Sequence, residues 1–495
     1  MIPAMLNPRT VWWLLLALTA PTFAAERKPN FIFLCTDDQR WDALGVVQRE
    51  LGERGRFPWF QTPNLDRLAA EGVRFRNAFV TSPLCSPARA GFLTGRYNHL
   101  NGVANNRTPF PTNSVTYATL LRAAGYKTAY IGKWHMDAQR GPRPGFDYSA
   151  SFIGQGKYFD CPFEINGETR PTRGWVDDVA TDFALEFLRQ HREQPFLLAL
   201  GFKSPHGPRG GTNLPERLRQ LYAGEKTRPV PNLGSPAIFR SSGAPKVDSP
   251  RTRAVMAEAD TVPGHLDYLR HIAGVDENVG RLLRALDELG LTTNTVVIFT
   301  SDNGYYLGEH GLGDKRSLYE ESIRIPLLVR WPGRFPRGAT VDELALNLDL
   351  APTLLELAGV RVPSEMQGRS WVPLLTGQRA PWRSAFLMQY FFERGFGGTP
   401  TVVGVRTATA KLIRYPGHEE WTELFDLVND PYETNNLARD PAHRKLLAQL
   451  QAELDAQMKR TGYRVPDYAD NPAEPDAPAP KPRSAKGTKR QVSQR

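Results

Sequence analysis

Five apolar runs punctuate the chain: NFIFLCTD from residue 30, YKTAYIGKW from 126, PFLLALGFKSPH from 195, TVVIFTSDNG from 295 and IPLLVRWPG from 325. Each closes on polar, Gly or Pro residues, as strands buried on both faces do. Helical spacing fills the gaps. TPNLDRLAAEG (62–72) opens on a Thr-Pro start signal and stops at Gly, and WVDDVATDFALEFLRQHR (175–192) and HLDYLRHIAGVDENVGRLLRALDELG (265–290) repeat apolar residues at three and four. Alternating strand and helix predicts an α/β architecture, a mostly parallel central sheet flanked by helices. From about 376 the rhythm changes. SAFLMQYFF, TVVGVRTATAKLIRYP and WTELFDLVNDP read as antiparallel strands, and PAHRKLLAQLQAELDAQMKRTG as a closing amphipathic helix. The expected domains are a main unit over 26–375 and a smaller α+β unit with an antiparallel sheet over 376–464. Residues 207–262, rich in Pro, Gly, Ser and Arg without periodicity, read as a surface insertion shaping a substrate entrance.

In parallel sheets, ligands gather beyond the carboxyl ends of the strands. The polar residues that finish the runs are Asp37, Asp38, Lys133, His135, Lys203, His206, Asp302 and Asn303, and the topology predicts that they share one edge. Lys203 is read either as part of that edge or as a surface residue.

Composition changes the picture at the two ends. Residues 1–25 carry Arg9, the run VWWLLLALTA and the small-residue end TFAA, the pattern of a secretory signal cleaved near Ala24 or Ala25. The mature protein is therefore expected to be exported, periplasmic or extracellular, with no later membrane span. The net charge of +10 suggests nucleic acid until it is located. Six of those charges lie in the acid-free stretch 477–495 of the tail 465–495, which is rich in Pro, Ala and Lys/Arg and read as a solvated basic tail, and Arg9 leaves with the signal, so the remainder keeps only +3. Three cysteines, Cys35, Cys85 and Cys161, are too few for a disulfide framework. Cys35 reads as a buried small hydrophobe, and Cys161 has no readable context.

Asp37, Asp38, Asp302 and Asn303 offer oxygen donors with no imidazole among them, which suits a hard divalent ion, Ca2+ or Mg2+, better than zinc. In SPLCSPARAGFLTGRY (82–97), prolines bracket Cys85 just before a helix whose first N–H groups face an anion. The spacing of Cys85 to Arg89 is not that of a cysteine-phosphatase loop, and a plain thiolate nucleophile is disfavoured.

These residues carry a resemblance. Through PNFIFLCTDDQRWDALG, TPNLDRLAAEGVRFRNAFV, CSPARAGFLTGRY, AGYKTAYIGKWH, HLDYLRHIAGVDENVGRLL, VVIFTSDNGYYLGEHGLGDKRSLYEESIRIPLLVRWPG and ELFDLVNDPYETNNLA, the chain resembles the formylglycine-dependent sulfatases of the alkaline-phosphatase-like superfamily. Ala88 stands where that family often has Ser, while Cys85, Pro87 and Arg89 are all present. The resemblance implies that a separate maturation enzyme converts Cys85 to formylglycine. As a hydrate, that group offers one hydroxyl to attack sulfur and a second through which sulfate is expelled. It further implies that Asp37, Asp38, Asp302 and Asn303, with residue 85, hold Ca2+, that Arg89 and Lys133 fix the diol, and that His135 accepts the proton that triggers sulfate release. His206 and Lys315 would bind the sulfate and neutralise the leaving oxygen. His310 is read as a substrate contact or as support for Lys315, and Tyr305 and Tyr306 as pocket wall or packing.

The implied activity is hydrolysis of a sulfate ester on a sugar or polysaccharide. Two alternatives stand beside it: a phosphonate or phosphodiester hydrolase of the same superfamily, and a non-catalytic exported glycan-binding protein with Cys85 unconverted.

Overall fold

A computed structural model describes residues 27–241, 263–396 and 398–471. The signal segment, the tail beyond 471 and the second part of the 207–262 insertion lie outside the described residues. A ten-stranded sheet runs in the order Ala339–Val341, Val73–Phe75, Leu327–Arg330, Thr295–Ser301, Asn30–Thr36, Phe196–Gly201, Lys127–Lys133, Tyr148–Phe152, Phe163–Ile165, Glu168–Arg170. Its middle, from the Thr295 strand to the Tyr148 strand, is wholly parallel. Antiparallel pairings appear on both flanks, so the sheet is mixed outside a parallel centre.

Alternation along the central strands explains the layers. In the Asn30 strand, Phe31, Phe33 and Cys35 face one core with Ala88, Phe92, Tyr117 and Leu354 of the helices Cys85–Thr94, Tyr117–Ala123 and Leu350–Leu357. Ile32 and Leu34 face the other, against Leu65, Val176, Ala180, Val279 and Leu282 of the helices Pro63–Glu71, Val176–His191 and Pro263–Glu288. Each such Leu, Ile or Phe contributes about 2 kcal/mol by leaving water. Cys35 packs as expected, 3% exposed, and all three cysteines are free.

The strands Ala385–Tyr390, Val402–Thr407, Ala410–Arg414 and Glu423–Asp426 form a separate antiparallel sheet. Leu450 and Leu454 of the helix Arg444–Thr461 join its buried face. The described part of the insertion is less superficial than its composition implies. Leu214 and Leu218 pack with Ala273, and Asn232 is fully buried, because short helical turns give this polar stretch enough apolar contacts to dock.

Candidate functional site

The strand ends converge as the parallel centre dictates. Asp37 and Asp38 leave the Asn30 strand, Asp302 and Asn303 leave the Thr295 strand, Lys133 closes the Lys127 strand, and His206 follows the Phe196 strand. Two of these strands approach so closely that Gly132, at φ +82, could carry no side chain: a Cβ would lie 2.1 Å from the Gly201 carbonyl oxygen. Cys85 opens the helix Cys85–Thr94 after extended Leu84, and no side chain caps that helix. Asp37, Asp38, Asp302 and Cys85 each bring one ligand atom within 4.8 Å of the others, as do Asp37, Cys85 and His206.

Charged hydrogen bonds tie the cluster together. Arg89 Nε donates to Asp302 Oδ2 at 2.8 Å and Arg89 Nη1 to the Lys133 carbonyl at 2.6 Å. Lys315 Nζ lies 2.6 Å from Asp38 Oδ1 and 3.2 Å from Cys85 Sγ, and Lys133 Nζ contacts Asp37. Asn303 Nδ2 donates to Asp38 Oδ1 at 2.7 Å, which leaves buried Asn303 Oδ1 without a partner. Arg89 Nη2 and His135 Nδ1 are also buried and unpartnered. His206 Nδ1 is 2.7 Å from the Gly207 carbonyl, so its Nε2, 3.9 Å from Asp38 Oδ2, is the free nitrogen. Asp38 at φ 70 and His135 at φ 50 lie in left-handed backbone.

Burial sets the protonation pattern. It pushes the Cys85 thiol up to about 12, so the unmodified side chain is a poor nucleophile. Burial, helped by Lys133 and Lys315, holds His206 well below the usual histidine range, and burial with Lys133 and Arg89 does the same to His135. Burial lowers Lys133, and burial is also the largest effect on Lys315, but there Asp38, Cys85 and Asp314 together outweigh it and raise the group. The donor set fits a hard cation. Three carboxylates and an amide oxygen that nothing else satisfies are the ligands such an ion takes.

All the residues placed at the strand edge by sequence are present, with two corrections. Lys203 is not a surface residue. Its ammonium is buried 4.7 Å from the Tyr158 ring and 2.9 Å from the Gln155 carbonyl, and burial brings it down to about 8. His310 stands apart from the cluster, its ring stacked 3.9 Å from Tyr319 and 3.2 Å from Asn232 Nδ2, in a separate buried group with Glu321 and Glu433. Tyr306 is packing, and Tyr305 lies under the Arg209 guanidinium at 4.2 Å.

Sequence reasoning missed Gln155. Its Oε1 accepts from Lys133 Nζ at 2.6 Å, and its amide nitrogen lies 3.0 Å from His135 Nε2. It sits in an irregular segment, where no periodicity announces a role.

A family model described as Sulfatase matches residues 29–360, and one described as N-sulphoglucosamine sulphohydrolase, C-terminal, matches 308–460. The chain is 33% identical to an N-acetylglucosamine-6-O-sulfatase of Bacteroides thetaiotaomicron, over 93% of this chain and 92% of that protein. It is 30% identical to an ulvan-active sulfatase of Formosa agariphila, over 89% and 83%. A solved structure of a protein in complex with its substrate, D-glucosamine-2-N,6-O-disulfate, superposes with a TM-score of 0.77 at 30% identity, covering 89% of this chain and 99% of that one.

Proposed function

From the premise that the chain belongs to the sulfatase family, and is therefore a sulfuric ester hydrolase, we propose that it is an exported enzyme that removes sulfate from sugars, with residue 85 matured to formylglycine and a divalent cation, Ca2+ ahead of Mg2+. The observation that carries this reading is the place of Cys85. It stands at an uncapped helix start, within ligand distance of three carboxylates and 3.2 Å from Lys315 Nζ. The substrate class is supported by relatives named for 6-sulfated N-acetylglucosamine and by the sugar disulfate bound in the related structure. Among the described residues no helix is long and apolar enough to cross a membrane.

Asp37, Asp38, Asp302 and Asn303 would hold the ion, which when bound supplies Lewis-acid polarisation of oxygen. The chain's own groups do the rest. Lys315, between Asp38 and residue 85, is placed to bind a sulfate oxygen, and Lys133 adds a second ammonium. Sulfate brings negative charge that favours protonation of His206 at Nε2, from which a proton can pass to the leaving alcohol. Gln155 holds the His135 ring by donating to Nε2, which puts the neutral ring's own proton on Nδ1, so Nε2 accepts the proton of residue 85 by exchanging this hydrogen bond for it. Arg89, bridging Asp302 and the Lys133 carbonyl, fixes the helix against the strand ends.

The test compares kcat/KM for N-acetylglucosamine-6-sulfate with that for the matching phosphate ester, alongside mass spectrometry of the peptide around Cys85 from protein matured in its native host. Sulfate preference, with a mass about 18 Da lower than the thiol form because one sulfur and two hydrogens are lost and one oxygen is gained, is expected. A hundredfold preference for phosphate, about 2.7 kcal/mol, or full activity with an intact thiol overturns the reading.

A further inference from the structure

Lys203 follows the strand Phe196–Gly201, and its backbone is fixed there. Asp177, in the first turn of the helix Val176–His191, accepts from the Lys203 N–H at 2.7 Å and from the Ser204 N–H at 3.1 Å. From that rigid base the side chain runs inward, fully buried, to an ammonium that among the described residues has no carboxylate within ion-pair distance. Its partners are two carbonyls and a ring. Nζ donates to the Gln155 carbonyl at 2.9 Å and to the Gly207 carbonyl at 3.5 Å, and lies 4.7 Å from the Tyr158 ring centroid. A charge taken out of water without a counter-ion is costly to fold, and a hydrocarbon side chain would fill the space without that cost. What sets the ammonium apart is what it holds together.

Each of the two carbonyls belongs to a segment that governs one of the proton-handling histidines. On one side, Gln155 Oε1 accepts from Lys133 Nζ at 2.6 Å, and the Gln155 amide donates to His135 Nε2 at 3.0 Å. On the other, the Gly207 carbonyl accepts from His206 Nδ1 at 2.7 Å, the bond that leaves His206 Nε2 toward Asp38. Tyr158, under the ammonium, donates its hydroxyl to the His206 carbonyl and so joins the two sides. Gln155 and Gly207 both lie in irregular segments, where no ladder or helix fixes the backbone. A charged donor reaching from the end of a central strand sets where they rest.

We propose that Lys203 is a positioning residue that keeps His135 and His206 at one spacing, by tying Gln155 and Gly207 through their carbonyls to the end of the Phe196–Gly201 strand. This rests on the sugar-sulfatase reading, in which these two histidines accept and deliver the protons of the reaction. An ammonium that never meets the substrate should govern kcat and leave KM alone.

The experiment measures kcat and KM of the mature enzyme for N-acetylglucosamine-6-sulfate in Lys203→Met, Gln155→Ala and the double variant. Lys203→Met should lower kcat by roughly thirtyfold, the scale of a misplacement of about 1 Å, with KM within about twofold of the wild type. The double variant should fall no more than about threefold below Lys203→Met, because Gln155 has already lost its anchor. Losses that multiply to roughly three hundredfold, a raised KM at unchanged kcat, or wild-type turnover in Lys203→Met each overturn the proposal. A lowered melting temperature with kcat per folded molecule unchanged marks a merely structural lysine and overturns it as well. Lys203→Gln, one bond shorter and uncharged, takes the place of Lys203→Met if that variant does not fold. Crystals of the lysine variant separate this failure from that of the underlying reading. If the wild type does not turn over the sugar sulfate, the sugar-sulfatase reading falls. Displacement of the Gln155 side chain or the His206 ring by about 1 Å in the variant then still supports the positioning role, and unmoved side chains remove it.

Discussion

At the strand ends, Asp37, Asp38 and Asp302 meet Arg89, Lys133 and Lys315 around a thiol. Near the C-terminal sheet, Glu320, Glu321 and Glu433 meet Arg406 and Lys411 beside a histidine. Both groups are buried and both hold three carboxylates. The second pairs most of its charges internally. Lys411 Nζ bridges Glu320 at 2.9 Å and Glu433 at 2.7 Å, Arg406 takes the other oxygen of Glu320, and Glu433 Oε2 accepts from the Glu320 N–H. Burial, with Glu309 and Glu433 close by, raises Glu321, which keeps its proton. The first group leaves an amide oxygen, a guanidinium nitrogen and an imidazole nitrogen unmatched, drawn from three different segments of the chain, whereas the second leaves only oxygens so, Glu321 Oε2 among them. Buried charge is thus a weak sign of chemistry, whereas unmatched donors and acceptors converging from separate elements are a strong one.

Substitution should separate the two groups sharply. Asp302→Asn keeps the shape of the site but removes a charge proposed to hold the cation and the partner of Arg89, and is expected to lower kcat by roughly a thousandfold with loss of bound metal by elemental analysis. Wild-type turnover would reduce the strand-end group to a structural role. Lys411→Met strands Glu320 and Glu433 and should cost about 3–5 kcal/mol in denaturant unfolding, with kcat/KM of the folded enzyme little changed because the sites are not coupled. A large loss of turnover at undiminished stability would erase the distinction drawn here.

Smaller effects sharpen it. Glu423 accepts from Tyr319 and Tyr415 hydroxyls, and burial raises its carboxyl from 4.5 to about 7. The folded state therefore holds a proton that the unfolded state releases between those values, so this group favours folding at low pH, and that contribution is lost as pH rises toward 7 and above. The span is on the order of 3 kcal/mol. Glu423→Gln should fall less in Tm than the wild type between pH 5 and 7.5, and parallel curves would contradict the assignment. Gln155→Ala, which frees Lys133 and His135, should lower kcat by about tenfold without unfolding the chain. No change would show that the two residues hold their positions unaided.

What could be read from sequence follows the same physics. The central strands announced themselves because burial on both faces demands uninterrupted apolar runs, and the polar residues ending them fell on one edge because parallel strands end together. The flanking strands Tyr148–Phe152, Phe163–Ile165 and Glu168–Arg170 are short and partly polar, and gave no such signal. Lys315 was legible through family resemblance alone, since it lies in a stretch without regular structure. Gln155 was hidden for a related reason. Its place depends on where an irregular segment comes to rest, and side-chain periodicity carries no record of that.

The left-handed backbone at Asp38 and His135 costs about 1 kcal/mol at each position, and glycine would relieve it. Selection for heat tolerance and selection for catalysis therefore pull these two positions in opposite directions. A library screened by melting temperature alone should enrich glycine there, and the most durable proteins it returns should be the least able to turn over their ester.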